Sequence, residues 1–306
     1  MKEFEILSTI KSIIGDKYIG DDCAYLKDLG IVISQDSLVE DVHFCLKYIS
    51  AYQLGYKSAM VNISDIAASG GEPKYMTIAL SLPKNVSNEF VREFYNGAKT
   101  ACKGVEIVGG DITGSDKIMI SVTVLGTTKG RKISSRSGAK TNYAIVTSGV
   151  HGSSAGGLKL LFEGKSSSQK LIDAHLMPKA QVEFASTISK NIDVDYAMMD
   201  TSDGLADALY KIAQSSNKTL VVDFDKIAYD KELSEEFSQE YKNMIMYGGE
   251  DYQIVAVVPK EFVKDIPNCF EIGYVKDKQK QGFVEIHCSN DVKYLNNTEK
   301  CFNHFE

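Results

Sequence analysis

The sequence has no paired cysteines, no membrane-length apolar run, no excess of basic charge and no lysine-bearing phosphate loop. Each absence removes a class of function. Its six cysteines, Cys23, Cys45, Cys102, Cys269, Cys288 and Cys301, fall at irregular spacings without a CxxC pair. That argues against a zinc site or a disulfide scaffold and leaves reduced, packed thiols. No apolar run approaches the roughly 18 residues that a membrane crossing needs. The opening Met1-Lys2-Glu3-Phe4-Glu5 lacks the basic-then-apolar order of a signal peptide. A cytoplasmic location with no membrane partner is therefore expected. The formal net charge of −7 argues against nucleic acid as a partner, because a phosphate backbone selects basic footprints. Gly164-Lys165-Ser166 imitates the tail of a phosphate loop, but Lys159 stands where the leading glycine is required. The glycine-rich stretch from Gly149 to Gly157 lacks GxGxxG spacing and reads as a turn opening a helix.

What is present suits a folded enzyme. The 306 residues, 43% hydrophobic and 25% charged, can form two domains that each bury a core. Hydrophobic periodicity alternates between strand and helix. Phe4, Ile6, Leu7, Ile10, Ile13 and Ile14 mark an amphipathic helix stopped by Gly15. Ile31 to Ile33 reads as a short strand running into Ser34-Gln35-Asp36. Ser50 and Ser87 are placed to cap helices, the first ending at Gly70-Gly71. Strands are expected over 75–82, 105–108 and 118–125, the middle one entering Gly109-Gly110-Asp111. A basic, polar stretch from Lys129 to Gly138 marks the domain boundary, giving domains of 1–138 and 139–306. In the second domain strands are expected over 143–147, 220–224, 252–258 and 283–287, and helices over 155–162, 181–188 and 204–213. Ser166-Ser167-Ser168 reads as a short linker.

The chemistry lies in acids beside glycines or polar residues at the ends of apolar runs. They occur at Gly20-Asp21-Asp22, Ser34-Gln35-Asp36, Asn62-Ile63-Ser64-Asp65, Gly109-Gly110-Asp111, Asp200 to Gly204, and Gly248 to Asp251. Element ends hold binding residues on a rigid frame while leaving them accessible. Carboxylates are hard oxygen ligands of the kind magnesium takes together with substrate phosphates. Any one segment could equally be turn or cap chemistry.

Taken in order, these motifs resemble those of the thiamine-monophosphate kinases, a family of the aminoimidazole-ribonucleotide-synthetase-like ATP-binding superfamily. The matching segments are Gly20 to Ala24, Ser34 to Phe44, Gly55-Tyr56-Lys57 through Ala68, Gly70 to Pro73, Gly109 to Asp111, Arg136 to Lys140, Asp200 to Leu205 and Gly248 to Tyr252. The match runs from near residue 4 to the final Phe302-Asn303-His304-Phe305. The resemblance implies an α/β (α+β mixed), two-domain PurM-like fold. Its N-terminal sheet would form a barrel-like homodimer core beside a C-terminal α/β domain, with ATP between protomer surfaces.

It also implies ATP-dependent phosphorylation of thiamine monophosphate to thiamine diphosphate, assisted by several Mg2+ ions, with K+ as a further candidate ion. Carried over by position, Asp22, Ser34, Gln35, Asp36, Asp65, Asp111, Asp200 and Asp203 are metal ligands. Tyr95, Gly110, Asp111, Arg136 and Ser202 contact ATP, and His43, Glu250 and Phe302 contact the acceptor. No protein nucleophile is required, because the acceptor's phosphate is itself one. Bland readings stand beside these. Tyr95 lies at helical spacing from Val91 and fits a core equally well; His43 fits an ordinary satisfied histidine; Asp203 fits a helix N-terminus; Arg136 fits a solvated linker charge.

Departures from the family pattern are Gln35 for Thr, Asp41 for Gly, Phe302 for Tyr or Trp, and an altered Gly109–Gly114 loop. The alternatives are another enzyme of the superfamily, of aminoimidazole-ribonucleotide-synthetase or hydrogenase-maturation type, or a non-catalytic nucleotide or metal sensor.

Overall fold

In the computed structural model, residues 3–289 and 291–302 are described. Asn303, His304 and Phe305 of the matched tail lie outside them. The first half builds one sheet and one set of helices. α1 (Glu3–Ile14) precedes β1 (Ala24–Leu26), β2 (Ile31–Val39), α2 (Ala51–Ala68), β3 (Glu72–Leu82), α3 (Asn88–Ala101), β4 (Glu106–Gly114) and β5 (Met119–Thr127). The sheet order is β1-β2-β5-β3-β4. β3 and β4 are parallel, joined by α3 as a crossover, and the remaining neighbours are antiparallel.

α2 is the pivot of the molecule. Ser50 and Gln53 form a reciprocal capping box at its start, an arrangement whose loss typically costs about 1 kcal/mol. The helix is buried nearly all round, from Leu54 to Ala68, because β2 and β5 cover one side and α3 another, while residues 182–191 and 197–200 of the second half close over it. α2 and α3 touch backbone to backbone: a Cβ on Gly55 would stand 1.8 Å from the Phe94 carbonyl oxygen, and one on Gly97 1.8 Å from that of Tyr52.

The second half contributes β6 (Ala144–Thr147), α4 (Ser153–Phe162), α5 (Gln169–Leu176), α6 (Val182–Asn191), β7 (Ala197–Asp200), α7 (Leu205–Ser216) and β8 (Lys218–Asp223). α8 (Lys231–Glu236), α9 (Tyr241–Tyr247), β9 (Ile254–Val258), β10 (Phe270–Asp277), β11 (Val284–Cys288) and β12 (Asp291–Leu295) complete it. Its seven strands run β12-β11-β8-β10-β6-β9-β7, with only β8 and β11 parallel. The α/β architecture expected from the sequence is therefore present, and each sheet is open.

Several elements differ from expectation. β2 runs through Ser34-Gln35-Asp36 to Val39, and β4 runs through Gly109-Gly110-Asp111 to Gly114, so these acids sit within strands and not past their ends. Pairing with β5 and β3 extends both beyond their apolar cores. Ser168 is the N-cap of α5, its hydroxyl accepting from the Leu171 N–H, where a linker was read. α1 forms as expected, but Ile13 and Ile14 remain 77% and 72% exposed.

Candidate active site

Most of the acids named from the sequence as metal ligands, Asp111 excepted, come from separate elements and meet beside α2. Ser58, Asn62 and Asp65 lie along one stripe of that helix, spaced four and three residues apart. The Asn62 amide is fixed by donating to the Ser58 carbonyl (2.9 Å), and its Oδ1 accepts from the Asp36 N–H (2.9 Å). The stripe thus sets where β2 carries Ser34, Gln35 and Asp36. Ser34 Oγ donates to Asp65 Oδ2 at 2.5 Å. Next to Asp65, Ser64 Oγ donates to Asp200 Oδ2, also at 2.5 Å, at the end of β7. Asp22, in the loop before β1, pairs with Arg136 at 2.5 Å, and the Arg136 N–H donates to Asp21 Oδ1 at 2.7 Å. A cavity of about 360 Å³ is lined by Asp22, Ser34, Gln35, Asp36, Asp65, Arg136, Ser202 and Asp203.

These carboxylates are crowded, with Asp200 buried, Asp22 and Asp65 partly buried and Asp36 exposed. Burial pushes the Asp65 carboxyl well above its usual range; repulsion from Asp36, Asp200 and Asp22 adds to this, and the Ser34 hydrogen bond opposes it. Burial, reinforced by Asp22, raises Asp200 to about 7. Asp22 is raised by burial and held back by Arg136. Hard oxygen donors gathered at this density are what a divalent cation stabilises, so the residues fit magnesium. Among the described residues no group of three or more His, Cys, Asp or Glu stands arranged to hold a metal ion; a bound magnesium would need oxygens from phosphate or water as well. Cys23, which lends its thiol to the Asp65 carbonyl (3.3 Å), is held protonated by burial and supplies no thiolate.

A second cavity, of about 400 Å³, adjoins the first and shares Asp36, Ser202 and Asp203 with it. Its walls mix polar residues with apolar and aromatic ones, Leu38, Val42, Val61, Leu158 and Phe162 among them, and His43, Glu250 and Phe302 line it too. His43 Nδ1 accepts from the Val39 N–H at 3.0 Å, which leaves Nε2 as the protonated nitrogen. Its ring lies 6.4 Å from that of Phe302. Glu250 occupies a left-handed backbone, φ 65°, held by its N–H donating to the Ser202 carbonyl at 2.7 Å. Asp41 also has positive φ, 64°, which accounts for the family's glycine there; Asp tolerates this conformation better than most residues.

Tyr95, Gly110 and Asp111 line neither cavity of the protomer. Tyr95 is half-buried on α3 with its ring edge-on to Phe94 (5.6 Å). Gly110 and Asp111 lie on β4, the exposed edge of the first sheet. Conversely, the sequence reading passed over residues that the fold brings in. Lys211 Nζ lines the first cavity and lies 2.7 Å from Asp207 and 3.3 Å from Asp203. The i, i+4 spacing of Asp207 and Lys211 on α7, with Asp203 in the turn just before it, was a legible signal. Lys57 and His175 reach Glu250 from α2 and α5, and no local pattern announces that meeting.

Residues 20–128 match the family described as AIR synthase related protein, N-terminal domain, and residues 140–285 match its C-terminal domain. The chain is 36% identical to a thiamine-monophosphate kinase of Aquifex aeolicus (strain VF5), with 90% of this chain and 92% of that protein covered. It is 31% identical to the thiamine-monophosphate kinase of Bacillus subtilis (strain 168), with both chains covered in full (100%). Among solved structures, AaThiL complexed with AMPPCP and TMP matches with a TM-score of 0.89 at 32% identity, over 99% of this chain and 97% of that one.

Proposed function

The chain belongs to the thiamine-monophosphate kinase family, and from that membership we propose that it phosphorylates thiamine monophosphate with ATP, giving thiamine diphosphate and ADP. The observation that carries this reading is the joining of the two cavities at Asp36, Ser202 and Asp203. One is a nest of crowded acids suited to a metal-bound polyphosphate. The other has aromatic walls and a carboxylate, suited to an organic cation. The reacting phosphates would meet where the two open into each other.

The transfer needs no covalent intermediate on the protein. An oxygen of the acceptor phosphate forms the new P–O bond as the bond between the γ-phosphorus and the ADP oxygen breaks. A phosphate monoester has lost most of its second proton near neutral pH, so no general base is required. Catalysis then consists of alignment and charge compensation. Asp22, Ser34, Gln35, Asp36, Asp65, Asp200 and Asp203 would hold magnesium, which supplies neutralisation of the phosphates, with K+ as a further ion. Arg136 and Ser202 serve the nucleotide, Arg136 by its planar fork of donors. His43, Glu250 and Phe302 enclose the thiamine part, the Phe302 ring offering its face to the thiazolium.

A homodimer belongs to the same reading. β4 offers an open strand edge with Val108 and Ile112 55% and 73% exposed, a liability that native sheets cover. Pairing through this region would carry Asp111, Gly110 and Tyr95 to the site of the partner. The domain division at 138/139 and a cytoplasmic location, where ATP is supplied, complete the proposal. Among the described residues no helix is long and apolar enough to cross a membrane.

The test is to supply Mg-ATP with thiamine monophosphate or with unphosphorylated thiamine and to quantify thiamine diphosphate and ADP. Product is expected only from the monophosphate, in equal amount to ADP, and none after chelation of the metal. Absence of both products would refute the reading.

A further inference from the structure

Lys57 is fully buried, and a buried ammonium persists only where it is paired. Its partners come from the other half of the chain. Nζ lies 3.0 Å from Glu250 Oε1 and 3.5 Å from His175 Nε2. Lysine can only donate, so His175 Nε2 is the acceptor and its proton resides on Nδ1. That nitrogen lies 3.0 Å from Ser154 Oγ and 3.4 Å from Glu250 Oε2. Burial, together with the charge of Lys57, holds His175 neutral, which agrees with this tautomer. Glu250 Oε1 is therefore held by an ammonium, while Oε2 stands 3.4 Å from the imidazole nitrogen that faces Ser154.

The loop bearing Glu250 has no slack. Its neighbour Asp251 accepts from the Gly152 N–H (2.5 Å) and the Ser154 N–H (2.8 Å) at the start of α4. Glu250 and Tyr252 both hold positive φ, 65° and 49°, a conformation that needs support from its surroundings. Three anchors serve one short loop: α4 through Asp251, α5 through His175, and α2 through Lys57. Glu250 and His175 line the second cavity, whereas Lys57 is not among its lining residues.

Resting on the reading of that cavity as the acceptor site, we propose that Lys57, acting with His175, is a positioning residue for acceptor recognition, fixing the Glu250 carboxylate so that its remaining lone pairs face the amino-heterocycle of the acceptor. A carboxylate offers about four lone-pair sites; Lys57 occupies one on the protein side and keeps the group from rotating. Because Lys57 belongs to the first half and Glu250 to the second, the acceptor site is complete only when the halves are docked.

The experiment compares Lys57→Met, Glu250→Met and the double variant by steady-state kinetics with Mg-ATP and thiamine monophosphate. Lys57→Met is expected to raise KM for thiamine monophosphate about tenfold, with KM for ATP and kcat each changing less than about threefold. The double variant, which buries no lone charge, is expected to match Glu250→Met alone, because Lys57 acts through Glu250. Should Lys57→Met fail to fold, the comparison of the double variant with Glu250→Met still decides. The proposal is overturned if Lys57→Met leaves the acceptor KM unchanged, if it raises both KM values alike, or if the double variant is worse than Glu250→Met by a further factor of about ten. A Glu250→Met variant with the wild-type acceptor KM would instead bring down the acceptor-site reading, and the positioning role with it.

Discussion

Asp65 shows how much of the site is decided by single side chains. It sits partly buried in the last turn of α2, with three other carboxylates near enough to raise its proton affinity. Such a residue is costly to the fold and useful to a metal. Asp65→Asn keeps the shape and removes the charge, so two effects of opposite sign are expected. Turnover should fall by about 10²–10³-fold or more, the scale of losing one electrostatic stabiliser. Melting of the magnesium-free protein at pH 8 should shift upward, by about 2–4 °C for each kcal/mol of relieved repulsion. Wild-type turnover in the variant would remove Asp65 from the metal set. At this scale the sequence was informative where residue type was chemically specific: Asp22, Ser34, Gln35, Asp36, Asp65, Arg136, Ser202 and Asp203 were all named in advance and line one cavity. Lys57 and His175 were not legible, because their significance arises from a contact between residues 118 positions apart.

Elements were legible where local signals were strong and obscure where tertiary pairing overrode them. The Ser50 and Ser87 caps are present as read. β7 was missed: Ala197-Met198-Met199-Asp200 is too short for periodicity to register, and it is a strand because β9 pairs with it. β10 was missed because Gly273 and the bulge beside it break the alternation of Phe270–Asp277. The contact of α2 with α3 leads to a sharp prediction. Gly55→Ala would drive a methyl into the Phe94 carbonyl, and urea unfolding should show a loss at or above the upper end of the roughly 1–3 kcal/mol typical of overpacking.

The cap on α4 predicts a pH dependence. Burial raises Asp251 from 3.8 to about 7 in the folded protein, against the two N–H groups it accepts from. Across that window the folded state keeps a proton that the unfolded chain has released. This group's contribution to stability therefore declines as pH rises from about 4 to about 7 and is level above that. Chemical denaturation at pH 5 and pH 7.5 should show a shallower difference between the two pH values in Asp251→Asn than in wild type.

At the scale of the molecule, the protomer places most of the named residues around two joined cavities and leaves Tyr95, Gly110 and Asp111 elsewhere. An exposed edge strand carrying two of them is the feature that a second copy would cover. If two copies pair through β4 as proposed, Ile112→Lys, which adds charge to its open face, is expected to convert the dimer to monomers in sedimentation and to lower kcat with it; a wild type that sediments as a monomer, or an unchanged sedimentation coefficient in the variant, would contradict that pairing. The alternation of strands and helices followed from periodicity and the fold from the family resemblance, while the joining of the cavities depends on docking two halves around α2, which no window of sequence contains.

The central claim is direct transfer of a phosphoryl group between two bound phosphates. It is tested most directly by a single turnover with ATP labelled in the γ-phosphate and thiamine monophosphate, followed by location of the label. The account predicts all of it in the terminal phosphate of thiamine diphosphate, one equivalent for each ADP formed. Label recovered on the protein or as free phosphate, with thiamine monophosphate unchanged, would contradict it.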